Sequence, residues 1–437
     1  MRVLIVGQGG REHAITEAIA SSAQRPEIYA WMSYPNPGIA SHCRDYATGS
    51  MRDRTGIADY AWAKRVDLVV IGPEEPLIYG LADELNRRAV PCVGPRKALA
   101  RLEGDKAFFR RMAGKQIPDA NPRFFTCKTA GQIKKAFREM DELVVKPLGL
   151  TSGKGVKVLG KQLPDRTSAQ DYAAQLLLQD GAVLIEERLI GEEFSQMVFT
   201  DGISIHPMPM VQDAKYAYEG DSGPMTGGMG AYSMPDHGLP FISSNTRAEA
   251  IQILGRLLTG VQDEYQQRYH GILYGQFILT RDGPRIVEVN VRLGDPEAIN
   301  VMPILETDLL EVFIGIVSGS LRRIDYKRQA TVCKYLVPEG YPEKSSRQIQ
   351  ARMDARVFEE EQTRLILAGA EKHDDYYQPT GSRFAAILAV RDSLFDAEAA
   401  VERTIQRLRL EGLRHRSDIA KAEAIQAKQV FISNLMR

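Results

Sequence analysis

The sequence predicts a multidomain protein of α/β and α+β class: an N-terminal parallel doubly wound sheet, a central α+β unit and a small C-terminal α+β domain. The 437 residues exceed the size at which one hydrophobic core stops growing. Apolar runs alternate with helical patterns over residues 1–100, which indicates a parallel sheet. Beyond residue 325, strand patterns (TVCKYLVP, RLILAGA, RFAAILAV) precede a helix at LFDAEAAVERTIQRLRL. We therefore predict domains at residues 1–100, 101–325 and 326–437.

Composition and charge argue against several classes of protein. The hydrophobic fraction of 44%, the charged fraction of 26% and the formal net charge of +0 are ordinary for a soluble globular protein and attract neither nucleic acid nor membrane. The first apolar run breaks at glycines and is too short for a signal peptide or membrane span. Four scattered cysteines without a C-x-x-C pair make a zinc site or disulfide framework unexpected. We expect a cytoplasmic monomer or small homo-oligomer.

Two glycine turns near the N-terminus are candidate ligand sites. A strand at Arg2–Val6 leads through GQGG into a helix, and the run at residues 67–72 leads into PEEPL and the helical pattern YGLADELNRRA. Such sheets bind ligands outside the carboxyl ends of their strands, where residues 7–13 and 72–76 are expected. The dinucleotide fingerprint is incomplete because Glu12 replaces its third glycine. The turn therefore favours the phosphate of a smaller ligand at a helix N-terminus, with a ligand-free turn as the alternative.

The central unit is predicted from clear local patterns. One helix is expected over ALARLEGDKAFFRRMAGKQI, further helices at AGQIKKAFREM, AQDYAAQLLLQD and AEAIQILGRLLTGVQDEYQQRY, and strands at ELVVKPLGL, AVLIEERL, ILYGQFILT and RIVEVNVRL. Asp201 and Gly202 between alternating runs predict a hairpin. The stretch GDSGPMTGGMGAYS, residues 220–233, carries five glycines and almost no apolar periodicity. This composition indicates close backbone approach or a mobile flap, or else a surface linker.

Lys146 and the loop after it favour a nucleotide site. A lysine at the end of the apolar strand DELVVKPLGL is unusual, and alone it fits a snorkelling side chain as well as a phosphate contact. The following GLTSGKGV lacks the spacing and hydroxyl of a Walker loop, but a glycine-rich turn can still present N–H groups to phosphates. The acid pairs at residues 186–187 and 192–193 strengthen this interpretation over that of a solvated strand end.

The strand RIVEVNVRL carries a candidate metal site. Glu288 and Asn290 are two residues apart and share one face, and Arg292 follows on that face. A carboxylate and an amide oxygen can share one hard divalent cation, and the arginine can hold a phosphate or carboxylate. An exposed polar strand face is the alternative, although the acids of the following turn weaken it.

Several segments together resemble the phosphoribosylamine–glycine ligase (glycinamide ribonucleotide synthetase) family of ATP-grasp enzymes. They include VGQGGREHA, VVIGPEEPL, VVKPLGLTSGKGV, LIEERLIGEEFS, EVNVRLGDPE and, most specifically, QDAKYAYEGDSGPMTGGMGAYS. The resemblance runs nearly end to end. It implies an ATP-grasp fold for the central domain, a mobile lid at about residues 122–189, and a substrate-covering role for the glycine-rich stretch.

The resemblance also implies roles for individual residues. ATP would contact the following residues: Lys106 and Lys146 on the phosphates, Ser152, Gly153, Lys154 and Gly155 over them, Glu186, Glu187 and Leu189 at the adenine, and Glu193 on the ribose. Magnesium or manganese would bind Glu288 and Asn290. The substrates and the reacting groups would lie near the following residues: Gly9, Gly10, Arg11, Pro73, Glu74, Gly227 and Gly228 for substrate binding, and Asp213, Lys215 and Arg292 for catalysis.

The implied reaction joins glycine to 5-phosphoribosylamine with ATP, through glycyl phosphate, in de novo purine biosynthesis. The sequence departs from the family pattern at KPLGLTSGKGV, at Ala214 where the family has histidine, and at GSR in place of N-G-G-R. Two alternatives stay open: another ATP-grasp carboxylate–amine ligase of purine synthesis, and a non-catalytic nucleotide-binding regulator. The regulator is disfavoured because the following candidate site residues are intact: Lys146, Glu288, Asn290 and Arg292.

Overall fold

The computed structural model describes residues 1–149, 155–344, 346 and 348–437. Five strands form the N-terminal sheet: β1 (Arg2–Val6), β2 (Glu27–Met32), β3 (Asp45–Thr48), β4 (Leu68–Ile71) and β5 (Cys92–Val93). They lie in the order β3-β2-β1-β4-β5, and all neighbours are parallel. Six helices accompany them: α1 (Gly10–Ala20), α2 (Pro37–Ala40), α3 (Arg54–Ala63), α4 (Glu74–Tyr79), α5 (Leu81–Arg87) and α6 (Lys97–Gly104). The predicted doubly wound parallel sheet is confirmed.

The chain reverses its winding direction between β1 and β4, so the turns after these two strands meet at one edge of the sheet. Both strands are buried, which fits their continuous apolar sequences. The helix after β4 differs from the prediction, because α4 already begins at Glu74 and ends at Tyr79. Gly80 adopts φ 89° and ψ 32°, a left-handed conformation that separates α4 from α5.

The single helix predicted over ALARLEGDKAFFRRMAGKQI is wrong, because the structure contains two helices there. Helix α6 ends at Gly104, and α7 spans Lys106–Gln116. Asp105 between them is extended, with φ −140° and ψ 96°, and its carboxylate Oδ1 accepts a hydrogen bond from the Phe108 N–H at 3.0 Å. An aspartate in this position is a favourable helix N-cap, so the second helix has its own start signal.

The segment corresponding to the predicted lid forms a separate antiparallel sheet. Its elements are β6 (Phe124–Cys127), α8 (Ala130–Glu139), β7 (Leu143–Pro147), β8 (Lys157–Val158), α9 (Arg166–Asp180) and β9 (Val183–Glu187). The strands lie in the order β6-β9-β7-β8. Both helices pack on this sheet around an apolar cluster that is distinct from the main core. A unit with its own core could move as one body, but the mobility of the lid stays a prediction.

The next part of the chain supplies strands to two different sheets. Its elements are β10 (Glu192–Thr200), β11 (Ile205–Pro207), β12 (Gln212–Asp213), β13 (Tyr216–Tyr218), β14 (Ser222–Met225), β15 (Gly230–Ser233), α10 (Ser244–Tyr265), β16 (Gly271–Thr280), β17 (Gly283–Asn290), α11 (Glu297–Val301), a 3₁₀ turn (Met302–Ile304) and α12 (Leu309–Ser318). An antiparallel sheet has the order β11-β10-β16-β17. The β10–β11 hairpin predicted at Asp201 and Gly202 is confirmed.

The C-terminal sheet crosses the predicted domain border at residue 326. Its region contains β18 (Ala330–Pro338), α13 (Ala355–Glu361), β19 (Arg364–Leu367), β20 (Ala370–Lys372), β21 (Tyr377–Pro379), β22 (Ala385–Arg391), α14 (Leu394–Leu408), β23 (Leu413–Arg414) and α15 (Ala422–Leu435). The sheet has the order β12-β15-β18-β22-β19, with β23 paired to β18. Two strands from the predicted central domain therefore complete this sheet, while the domain borders themselves stay predictions.

The glycine-rich stretch is largely built into strands rather than into one loop. It contributes β14, which pairs with β13, and β15, which pairs with β18. At Gly230 the backbone has φ +157°, and a Cβ atom would lie 2.4 Å from the carbonyl oxygen of Cys333. Close backbone approach, one of the three interpretations of its composition, therefore explains this glycine. None of the helices in the described parts of the chain is long and apolar enough to cross a lipid bilayer.

Candidate active site

The turns after β1 and β4 line a cleft of about 660 Å³ at the edge of the N-terminal sheet. Of the five residues predicted there, four line the cleft: Gly9, Arg11, Pro73 and Glu74. The fifth, Gly10, packs against the C-terminal sheet instead, because a Cβ atom at this position would lie 2.2 Å from the Tyr335 hydroxyl oxygen. The cleft thus presents a helix N-terminus, which favours an anionic group, together with a buried arginine, Arg11, whose Nε pairs with Oε1 of Glu12 at 2.5 Å.

Arg292 connects this cleft to the strand that carries the candidate metal ligands. Its Nη2 lies 2.9 Å from Oε1 of Glu103 and 3.4 Å from Oδ1 of Asn290, and its Nε lies 3.3 Å from Oε2 of Glu74. Arg11 reaches the same turn, because its Nη1 donates a hydrogen bond to the Leu293 carbonyl oxygen at 3.0 Å. The two arginines therefore join the N-terminal domain to the end of β17.

Glu288 and Asn290 lie near the end of β17, as the sequence predicts. Within the described residues, the carboxylate of Glu288 makes no hydrogen bond and no ion pair. Glu288 nevertheless lies close enough to Lys215 and Lys106 to favour the charged form of both: it contributes to the raised pKa of Lys215, whereas burial lowers the pKa of Lys106 in spite of it. A partly buried carboxylate without a protein partner, beside an amide oxygen, fits a divalent cation that keeps some of its water ligands.

Asp213 and Lys215 form a charged cluster with Glu193. The Lys215 Nζ atom lies 3.7 Å from Oε2 of Glu193 and 4.0 Å from Oδ2 of Asp213. Burial opposes the charged form of Lys215, but the surrounding carboxylates outweigh it and raise its pKa. Burial raises the pKa of Asp213 to about 7, with Lys215 acting in the opposite direction and the acids Glu297 and Glu193 adding to the rise. Lys215 thus stays cationic in a site rich in acids.

The nucleotide residues predicted in the lid are held by a buried network. Lys146 Nζ lies 2.6 Å from Oε2 of Glu186, and Arg110 Nη2 donates to the same oxygen at 2.9 Å. Burial would raise the pKa of Glu186, but Arg110 and Lys146 overcome this effect and lower it to about 2. Lys106 Nζ donates to the Gly149 carbonyl oxygen at 2.6 Å. The two lysines therefore enter the site from the start of α7 and from β7.

Only some of the remaining predicted nucleotide residues lie in the part of the chain that the structure describes. The Glu187 carboxylate accepts a hydrogen bond from the Arg123 N–H at 2.9 Å, and the Glu187 N–H donates to the Arg123 carbonyl oxygen at 3.0 Å. Leu189 is partly exposed just after β9, and Gly155 accepts from the Tyr172 hydroxyl at 2.8 Å. The following predicted residues lie outside the described residues: Ser152, Gly153 and Lys154.

Gly227 and Gly228 contact the C-terminal domain. Arg383 donates from Nη1 to their carbonyl oxygens at 2.9 and 3.1 Å, and its Nη2 lies 3.0 Å from Oδ2 of Asp295. Asp295 also accepts from the Tyr335 hydroxyl at 2.6 Å and lines the N-terminal cleft. Arg383 therefore holds the glycine-rich segment against the edge of the cleft, within reach of the predicted substrate residues.

Comparison with known proteins assigns the family. Three domain profiles match: Phosphoribosylglycinamide synthetase N domain at residues 1–103, ATP-grasp (A) domain at 104–298 and C domain at 331–422. A phosphoribosylamine–glycine ligase from Thermococcus kodakarensis is 42% identical over 100% of both chains. The chain belongs to the phosphoribosylamine–glycine ligase family. A second family member, from Pyrococcus abyssi, is 43% identical over 98% of this chain and 96% of its own.

Solved structures agree with this family assignment. The crystal structure of the phosphoribosylamine–glycine ligase from Thermotoga maritima has a TM-score of 0.81 and 26% identity, and it covers 96% of this chain and 100% of its own. A biotin carboxylase from Campylobacter jejuni shares the fold, with a TM-score of 0.74 at 13% identity over 99% of this chain and 98% of its own. The predicted ATP-grasp fold is confirmed, and an ATP-grasp domain implies the use of ATP.

Three charged residues of this phosphoribosylamine–glycine ligase family member were missed or left unassigned by sequence reasoning. Arg110 and Glu103 lie in the stretch predicted as a single helix, in which neither side chain was given a role, yet both are buried. Arg383 lies in the GSR segment, which departs from the family pattern. Each contacts a partner more than 70 positions away: Glu186 for Arg110, Arg292 for Glu103, and Asp295 for Arg383. A buried charge with a distant partner leaves no local signal in one sequence.

Proposed function

We propose that this chain ligates glycine to 5-phosphoribosylamine, converting ATP to ADP and phosphate and forming glycinamide ribonucleotide in purine biosynthesis. The observation that carries the proposal is the full-length relationship to proteins named phosphoribosylamine–glycine ligase. The geometry supports it, because Arg292 joins a cleft suited to an anion with a cluster of lysines and carboxylates. Cytoplasmic location and a monomeric or small homo-oligomeric state remain predictions.

The proposed chemistry needs no protein nucleophile. A carboxylate oxygen of glycine attacks the γ-phosphorus of ATP, and ADP leaves with the electrons of the broken bond. The amine of phosphoribosylamine then attacks the carbonyl carbon of glycyl phosphate, phosphate leaves, and the nitrogen loses a proton. Lys146, Lys215 and Arg292 would stabilise the negative charge that both steps develop on oxygen, and burial would protect the acyl phosphate from water.

The cation would be held by Glu288 and Asn290. Hard oxygen ligands suit magnesium and also manganese, and the choice between them is part of the proposal. When bound, the cation would neutralise charge on the phosphate oxygens. Asp213 at the end of β12 and Lys215 just after it would face the reacting groups, and Gly9, Arg11 and Glu74 would face the phosphoribosyl part from the cleft.

A coupled assay for ADP tests the proposal. Phosphoribosylamine is generated in situ from ribose 5-phosphate and ammonia, and ADP release is followed with and without glycine. We expect ADP only when glycine, phosphoribosylamine and a divalent cation are all present, with stoichiometric glycinamide ribonucleotide in the product mixture. Equal ADP release without glycine would contradict the ligase assignment. Replacing glycine by bicarbonate tests a carboxylase-type reaction in the same assay and should give no ADP.

A further inference from the structure

The carboxylate of Glu103 contacts two consecutive residues that follow β17, here called the metal strand because it carries the candidate metal ligands Glu288 and Asn290. Glu103 lies in the last turn of α6, and its side chain is only 4% exposed. Oε1 lies 2.9 Å from Nη2 of Arg292, and Oε2 accepts the Val291 N–H at 2.7 Å. One buried carboxylate thus fixes both the backbone and the side chain of the segment that follows Asn290.

The Nε of Arg292 has a less firmly held partner, the partly exposed carboxylate of Glu74, despite this anchoring. Its Nη1 donates to the Leu293 carbonyl oxygen at 3.2 Å, and its Nη2 contacts Glu103 and Asn290. Its Nε is buried and makes no hydrogen bond within the described residues, although Oε2 of Glu74 lies 3.3 Å away. Buried donors without a hydrogen bond are rare, and at a candidate active site they indicate a place for a ligand oxygen.

The two carboxylates around Arg292 differ in how firmly they hold it. Glu103 is nearly inaccessible and uses both oxygens, whereas the Glu74 side chain is 25% exposed and lines the cleft. Glu74 can therefore turn toward solvent or substrate while Glu103 remains in place. An oxyanion entering from the cleft would compete with Glu74, but not with Glu103, for the Nε edge of Arg292.

We propose that Glu103 is a positioning residue, which holds Arg292 by Nη2 and the Val291 N–H so that the Nε edge stays available to a substrate oxyanion. The inference rests on the proposed function. The oxyanion is the transferred phosphoryl group or the glycine carboxylate, and both offer the same oxygen chemistry to a guanidinium. Glu103 acts through Arg292 and does not itself touch the substrate.

The chain offers a matched control for a purely structural effect. Glu84 lies on α5 in the same domain, its side chain is 8% exposed, and its Oε1 lies 3.0 Å from Nε of Arg88. This pair has the same chemistry as Glu103 with Arg292 but lines neither the cleft nor the metal strand. Glu84→Gln therefore measures what the loss of a buried glutamate–arginine pair does to folding alone.

The test compares Glu103→Gln with Glu84→Gln in steady-state kinetics and in calorimetry. For Glu103→Gln we expect kcat to fall roughly 10- to 100-fold, because Arg292 is displaced and its contact with the transition state is lost. The affinity for ADP should change less than about threefold. Phosphate binding to the protein loaded with ADP and magnesium should weaken about tenfold, which is a readout independent of turnover. Glu84→Gln should keep the parent kcat per folded molecule. Glu103→Asp, which retains the charge, should recover part of the loss.

A double-mutant cycle with Arg292 distinguishes a positioning role of Glu103 from any other role of that residue. In an Arg292→Lys background, Glu103→Gln should reduce kcat by less than about threefold, because the contact it organises is already altered. Full additivity, or parent-like kcat and phosphate binding in Glu103→Gln, would overturn the proposal. A parent enzyme that forms no ADP would count against the proposed function instead, and phosphate binding would still decide the role of Glu103.

Discussion

Arg110 offers the sharpest test of how the lid is attached to the metal strand. Its guanidinium is 1% exposed and donates from Nη2 to Glu186 in β9 at 2.9 Å and to the Val287 carbonyl oxygen in β17 at 2.6 Å. Nη1 donates to the Ile286 carbonyl oxygen at 3.0 Å. Arg110→Met keeps much of the side-chain volume but removes all these donors, and it leaves Glu186 with Lys146 as its remaining cation.

The expected magnitude follows from burial. Removing one partner of a buried ion pair typically costs about 3–5 kcal/mol, because the remaining charge is left uncompensated. Lys146 still lies 2.6 Å from Glu186, so the lower end, about 3 kcal/mol, is expected here. The neighbouring pair Arg123–Glu187 has side chains 66% and 27% exposed, and such exposed pairs contribute about 0–1 kcal/mol. Arg123→Met is therefore the matched control, because its partner Glu187 lies beside Glu186 on β9.

Hydrogen exchange of the backbone amides in β7 and β9 measures this difference locally. A loss of about 3 kcal/mol corresponds to roughly 100-fold faster exchange in Arg110→Met, against less than about fivefold in Arg123→Met. The double variant Arg110→Met/Glu186→Met should regain little of the protection, because Lys146, 2.6 Å from Glu186 in the parent, would then be the unpaired buried charge. Exchange in Arg110→Met at the parent rate would refute the reasoning, since the buried pair would then contribute nothing to holding the lid.

Two further predictions concern the metal site and pH. Glu288→Gln should lower turnover roughly 100- to 1000-fold, because it removes the charge that would hold the cation. The thermal midpoint without ligand should stay near the parent's, because the carboxylate has no partner among the described residues. Parent-like turnover with an unchanged magnesium requirement would remove Glu288 from the site. Burial lowers the pKa of His13 from 6.5 to about 4, so its contribution of roughly 3 kcal/mol is present above pH 6.5 and is lost as pH falls through 4. Urea midpoints of the parent and His13→Gln should converge over that window, and parallel curves would contradict the shift.

Local patterns predicted those parts of the fold that depend on local interactions. The alternation of apolar runs and helices predicted the parallel sheet, and Asp201 with Gly202 predicted the β10–β11 hairpin. The two-residue spacing of Glu288 and Asn290 placed both near the end of β17. These predictions succeeded because strand alternation and turn chemistry are set by residues a few positions apart.

Predictions failed where the deciding partner is distant or where a second local signal was overlooked. The glycine-rich stretch becomes β15 only through pairing with β18, about 100 positions later, so its own composition could not reveal the strand. Arg110 on α7 forms its ion pair with Glu186, which lies 76 positions later in the chain. The break between α6 and α7 is different, because the N-cap signal of Asp105 was present in the sequence but was outweighed by the helical pattern around it.

The charge balance around Lys215 explains why nucleotide and cation belong together in this site. The pKa of Lys215 is raised, against its burial, by four carboxylates: Asp213, Glu193, Glu288 and Glu297. A triphosphate entering alone would meet these acids, and one lysine cannot compensate for all of them. A divalent cation at Glu288 would offset most of this excess negative charge, because it adds two positive charges where the carboxylate lacks a protein partner. Glu288 is therefore better understood as a charge reserved for the cation than as a support for the strand, which is why its neutral isostere should impair turnover and spare the fold.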